Sequence, residues 1–321
     1  MKSVAHVVVA AFLVAAGASG ANAQMLSQKP IVHFVVPLPP GGGDILARTI
    51  ATPLATVMNR TMVIENKPGA DGAVAAEYVR RASPDGTTVF FATNSPLAAV
   101  PALRKQPPYD PIADFTPISQ IGVAGFFLYV NAALPVKSVK ELIEYGRANP
   151  EKLKFGVSNS SSLFALAQLL KSSGIKVVQA NYAGDGNAIP PLASGEIDAL
   201  FATVSSARSL VESGKLRVLA TTLKKRSSAF PDAPTLDEQG VAGITVSPWV
   251  ALFGPAKMPR PVVDEYAAAL KTVLDMPDVK QRLTGFAIEV ESSTPEQMAV
   301  ILKENVEVTR KTVLESNLAQ E

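Results

Sequence analysis

From residue 31 to about residue 221, short apolar runs of strand length alternate with stretches of helical period, and this alternation constrains the fold more than any other feature. Ile31-Val32-His33-Phe34-Val35-Val36 opens the series. Residues 45–54 follow as helix, with Ile45, Thr49 and Thr52 on one face and Leu46, Ile50 and Leu54 on another. Further strand-like runs fall at 61–65, 88–92, 126–130, 153–157, 176–179, 199–201, 217–221 and 250–253. Helical stretches fall at 73–81, at about 139–148 behind the capping box of Ser138 and Glu141, at 163–170 and at 189–194. Pro190 and Pro191 suit only the first turn of that last helix. The proline-rich residues 101–117 read as a surface excursion. The C-terminal part reads as helices over 261–274 and 277–284, then a long one opened by Thr294-Pro295-Glu296. Strand–helix alternation of this kind predicts an α/β fold with mainly parallel sheets. Two sets of units, 31–120 and 126–221, predict two lobes with a cleft between them.

Open α/β sheets bind ligands at the carboxyl ends of their strands. The polar loops 38–44, 93–96, 158–162, 181–185 and 203–206 all fall at such ends. The first, Leu38-Pro39-Pro40-Gly41-Gly42-Gly43-Asp44, joins a strand to a helix. Its glycines let the backbone turn sharply and approach a ligand closely. First-turn helix N–H groups have no partner inside the helix and carry partial positive charge, so such a turn can hold an anion. Asp44 is expected to cap the helix. The loop Ser158-Asn159-Ser160-Ser161-Ser162 repeats the design, with more polar residues than capping needs.

The 321 residues are 47% hydrophobic and 18% charged, which suits a folded chain with a sizeable core. A net charge of +2, with Lys224-Lys225-Arg226 as the longest basic cluster, gives no ground for nucleic-acid binding. Residues 1–23 read as a signal peptide: Lys2, an apolar core at 7–16, and the small-residue site Ala21-Asn22-Ala23. Cleavage after Ala23 would export the chain to the periplasm. With no cysteine there is no disulfide and no thiolate metal site. Beyond the signal peptide the only histidine is His33, inside a strand. There is no Gly-x-Ser-x-Gly elbow, no Gly-x-Gly-x-x-Gly and no P-loop lysine.

The chain resembles the Bug family, the solute receptors of tripartite tricarboxylate transporters. The resemblance rests on segments 31–48, 63–70, 84–87, 108–115, 137–142, 182–184, 194–198, 214–217, 230–235 and 248–249, in the family's order. It implies a two-lobed periplasmic binding protein of the Venus-flytrap type. Its domains would be 24–121 with 248–321 for the first lobe, and 122–247 for the second. It further implies that backbone N–H groups and water hold a ligand carboxylate at 38–44 and 158–162. Candidate ligand-binding residues are Leu38, Pro39, Pro40, Gly41, Gly42, Gly43, Asp44, Asn94, Ser95, Ser158, Asn159, Ser160, Ser161, Ser162, Phe164, Tyr182, Ala183, Gly184, Thr203 and Trp249. The chain departs from the family at four places. Gly43 is followed directly by Asp44, and Phe164, Ala202 and Thr203 stand where histidine and Asp-Asn are usual. A less charged, more aromatic cleft is expected, with Phe126, Phe164, Tyr182 and Trp249 as its walls. The expected function is capture of a small di- or aromatic carboxylate for such a transporter. Its partners would be that ligand and the membrane subunits, with no nucleic acid, no cofactor, no metal and a monomeric state. The alternatives are an exported α/β hydrolase and a receptor serving signalling.

Overall fold

The computed structural model describes residues 30–316, apart from 245, and residue 318. The signal-peptide expectation for 1–23 lies outside the described residues. Two sheets organise the chain. The first is built from β1 (Ile31–Val36), β2 (Thr61–Asn66), β3 (Thr88–Thr93), β4 (Phe115–Ala124), β10 (Trp249–Pro255) and β11 (Ile288–Val290), in the order β11-β4-β10-β3-β1-β2. The second is built from β5 (Phe126–Asn131), β6 (Lys154–Val157), β7 (Val178–Asn181), β8 (Ala199–Thr203) and β9 (Leu216–Thr221), in the order β7-β6-β8-β5-β9.

The sheets are mixed, which corrects the expectation of mainly parallel ones. β1 runs parallel to β2 and β3, and β6 parallel to β7 and β8. β10 opposes β3 and β4, and β5 opposes β8 and β9. The reason lies in the crossings. β4 leads through Gly125 into β5, so β5 starts where β4 stops and runs away from the junction. The return into β10 does the same: Ala124 N–H donates to Pro248 O at 2.7 Å, so the two crossings lie side by side. Register then fixes which loops face the junction. Thr93, ending β3, pairs with Val250 at the start of β10, and Thr203, ending β8, pairs with Phe126 at the start of β5.

The central strands are buried on both faces, so their runs are apolar without alternation. On β1 and β3, Phe34 and Phe91 pack against α1 (Gly42–Val57) and the later helix Arg260–Asp275. Phe90 takes the opposite face with Phe115, Trp249 and Phe253. In the second lobe Phe155, Phe201 and Phe126 form a run of ring contacts. Phe126 is therefore core, at 1% exposed, and not a cleft wall.

Two further expectations need refinement. Residues 104–114 do run irregularly over the surface, but Tyr109 anchors them: it is 4% exposed, donates its hydroxyl to Pro96 O at 2.6 Å, and meets Phe115 edge-on at 5.5 Å. The helix expected at 189–194 begins at Asp185 and runs to Ser194, so Pro190 and Pro191 lie inside it. Gly184 sets that earlier start, with φ 93° and ψ 161° at the N-cap. The last helix, Pro295–Glu315, links both lobes: Met298 and Leu302 pack on the first, and Val313 enters the core of the second.

Candidate functional site

The loop after β1 ends at Gly41, at φ 138° and ψ −146°, in a region that side chains avoid and with open space where a Cβ would stand. Helix α1 begins directly after it, and no side chain caps it. The expectation that Asp44 is the cap is thus corrected. Asp44 lies in the first turn, 6% exposed, turned onto other partners. Arg48 Nε donates to its Oδ2 at 2.7 Å and Asn66 Nδ2 to its Oδ1 at 2.9 Å. The Arg48 bond is the main cause holding this carboxyl below its usual range; burial opposes it and Asn66 adds to it. Asn66 also donates to Leu38 O at 3.0 Å, fixing the loop from outside. Its side chain was missed as a site residue, although the Glu65-Asn66-Lys67 segment marked its position.

This loop reaches the lobe junction through packing. A Cβ on Gly72 would stand 3.2 Å from Pro37 and 3.1 Å from Pro96, so these two prolines flank one glycine. Pro96 follows Asn94 and Ser95, which touch the second lobe. Asn94 Nδ2 donates to Ser161 Oγ at 3.2 Å, and Ser95 Oγ lies 2.6 Å from Ser160 Oγ. Both serines open α2 (Ser160–Ser173), earlier than the residue 163 expected.

Every polar side chain of the serine loop has a partner. Asn159 caps α2 by accepting from Ser162 N–H at 3.0 Å. Ser162 Oγ accepts from the N–H groups of Ser158 and Asn159 at 2.8 and 3.0 Å, completing a capping box. Ser158 donates to Asp185 Oδ1 at 2.7 Å, with Asn159 Nδ2 beside it at 3.0 Å. The other oxygen of Asp185 accepts from Thr203 N–H at 2.9 Å and Thr203 Oγ1 at 2.8 Å. Asp185 is the residue that sequence reasoning undervalued. Its place after Tyr182-Ala183-Gly184 at a strand end was the available signal.

The remaining expected residues divide. Gly184 is open where a Cβ would stand, and its N–H donates to Ser158 O at 2.9 Å. Ala183 is exposed beside it. Tyr182 is half-buried; burial and the nearby Glu196 carboxylate raise its phenol. Phe164 is core, 5% exposed among Phe126, Ala99 and Val246, which corrects its role as a wall. The Trp249 ring packs at 5.9 Å from Phe253, while its indole N–H is buried without a partner among the described residues. Pro39 and Pro40 stand exposed in the loop, and Gly42 and Gly43 begin α1. Cavity shape points elsewhere: concavities of ≈ 670 Å³ around His33, Tyr78 and Arg81 and of ≈ 650 Å³ around Asn131 and Lys215 lie away from these loops. The loops are the stronger candidate, because the lobes meet at them.

The family model described as Tripartite tricarboxylate transporter family receptor matches residues 46–318. The UPF0065 protein in the gbd 5' region of Cupriavidus necator is 31% identical over 314 residues, 97% of this chain and 94% of that one. Among solved structures, R. palustris Rpa4515 with adipate is 28% identical with a TM-score of 0.82, over 90% of this chain and 98% of that one. The periplasmic binding protein BugD is 28% identical with a TM-score of 0.80, over 91% and 99%. The proteins of this group are periplasmic solute-binding proteins, not enzymes. With two lobes of mixed sheet meeting at their strand-end loops, this chain belongs to the Bug family, the receptors of tripartite tricarboxylate transporters.

Proposed function

We propose that the protein is exported through its N-terminal segment and captures a small carboxylate between its lobes for a tripartite tricarboxylate transporter. One observation carries this reading: α1 starts at the lobe junction without a side-chain cap. Its first-turn N–H groups, at Gly42, Gly43 and Asp44, have no carbonyl of their own helix to reach. They suit one ligand carboxylate, and Asp44 does not compete because Arg48 and Asn66 hold its charge. From the facing lobe, the first-turn N–H groups of Ser160 and Ser161 add to the same pole, since the box on α2 uses only the Ser162 N–H. The neighbour solved with adipate supports a carboxylic acid as the class. Aromatic walls no longer support a flat ring, because Phe126 and Phe164 are core.

Calorimetry of the exported protein with carboxylates and their primary amides tests the reading. A charge-assisted hydrogen bond contributes about 1.5–3 kcal/mol, so each amide is expected to bind at least about tenfold more weakly. Equal affinity for acid and amide refutes it.

A further inference from the structure

The second lobe carries an acid of its own at the site. Asp185 lies at the start of its helix, half-buried, and forms no ion pair among the described residues. Four hydrogen bonds hold its carboxylate: from Ser158 Oγ and Asn159 Nδ2 to one oxygen, and from Thr203 N–H and Oγ1 to the other. These bonds orient the carboxylate, but they bring no positive charge to cancel its own. Ser158 and Asn159 immediately precede Ser160, which meets Ser95 of the other lobe. The charge therefore stands beside the lobe junction. The four donors are also those that a ligand carboxylate on this wall would use.

Resting on the carboxylate-receptor reading above, we propose that Asp185 sets the ligand class: the far end of the ligand is a hydroxyl or an ammonium, and a second carboxylate is turned away. A far carboxylate at this wall meets a fixed like charge, and finds the Ser158, Asn159 and Thr203 donors already engaged. A far hydroxyl or ammonium meets an acceptor instead, and an ammonium gains Coulomb attraction as well. This differs from the expectation of a diacid, which took the wall to be free of charge after the loss of acid at Ala202. In this chain a carboxylate stands instead at the neighbouring helix start, bonded to the strand end at Thr203.

The test uses matched series on the full mature protein by calorimetry. Succinate, glutarate and adipate are compared with the hydroxy acids and amino acids of the same chain lengths that carry the second group at the far end. For the length that binds best, the hydroxy or amino acid is expected to bind at least about tenfold tighter than the diacid. In Asp185→Asn that gap is expected to shrink to about threefold or less. A diacid that binds wild type as tightly as its partners overturns the proposal and leaves the carboxylate reading standing. A gap that persists unchanged in a folded Asp185→Asn protein also overturns it. Failure of every compound with wild type overturns both. Should Asp185→Asn not fold, shown by its unfolding midpoint, the wild-type series decides alone.

Discussion

Replacing Gly184 and Gly186 by alanine, one at a time, is expected to shift stability in opposite directions. Neither added Cβ would touch anything within 4 Å, so packing does not enter the comparison. The difference lies in the backbone. Gly184 has φ 93° and ψ 161°, close to a region that only glycine populates, and forcing alanine there costs about 1–3 kcal/mol. Gly186 lies in the first turn of the same helix and has no positive φ. Alanine there removes freedom from the unfolded chain and gains up to about 0.5–1 kcal/mol. The two variants should differ by about 1–4 kcal/mol. Urea unfolding at equal protein concentration measures this through the midpoint shift at constant slope. Shifts of the same sign, or a gap under about 0.5 kcal/mol, would refute the backbone argument.

The same reasoning at Gly41, with φ 138°, predicts that Gly41→Val destabilises by about 1–3 kcal/mol and weakens carboxylate binding more than Gly186→Ala does; calorimetry checks it. The Arg48 bond holds the Asp44 carboxyl below its ordinary range, so its stabilisation is present above that range and is lost as pH falls through the lowered value. Asp44→Asn should therefore lower the unfolding midpoint at neutral pH but have little effect in strong acid, as pH-dependent urea melts would show. Ser161→Ala leaves the 9% exposed Asn94 amide without its partner across the junction, at a cost of about 1–3 kcal/mol. Because the bond joins the lobes, small-angle scattering should report a larger radius. Adding Asn94→Ala should recover part of the lost stability, and a further loss would refute the accounting.

The strands and the loops at their carboxyl ends were legible because apolar runs such as those of β3 (Thr88–Thr93) and β10 (Trp249–Pro255) are buried on both faces, and such runs carry a strong pattern. Their directions were not legible. That β5 and β10 oppose their neighbours follows from where the chain crosses between lobes, a long-range fact with no local signal. Two helix starts were misplaced for one physical reason. At Asp44 and at Ile189 the expected start relied on side-chain caps and on proline, whereas the chain uses glycine backbone at Gly41 and Gly184. The serine loop was located correctly but its surplus was misread. Five polar side chains exceed what one helix end needs, yet all have protein partners: two across the junction and three within the cap and the Asp185 cluster.

Two helices that start at the junction share one device. Gly41 and Gly184 each precede a helix, with φ of 138° and 93° and extended ψ, and neither helix has a side-chain cap. A serine or aspartate cap would occupy a first-turn N–H group with its own oxygen. Glycine leaves those groups open, at the cost of backbone freedom lost on folding. The third, α2, takes the other solution: Asn159 caps its Ser162 N–H in a capping box, which leaves the N–H groups of Ser160 and Ser161 open. The acids of the two lobes are held differently. The first presents unpaired donors through α1, with its one nearby acid held by Arg48 and Asn66. The second presents an acceptor, Asp185, whose donors are already engaged. A ligand with one anionic end and one donor end fits both walls in a single orientation, and a symmetric diacid fits only one.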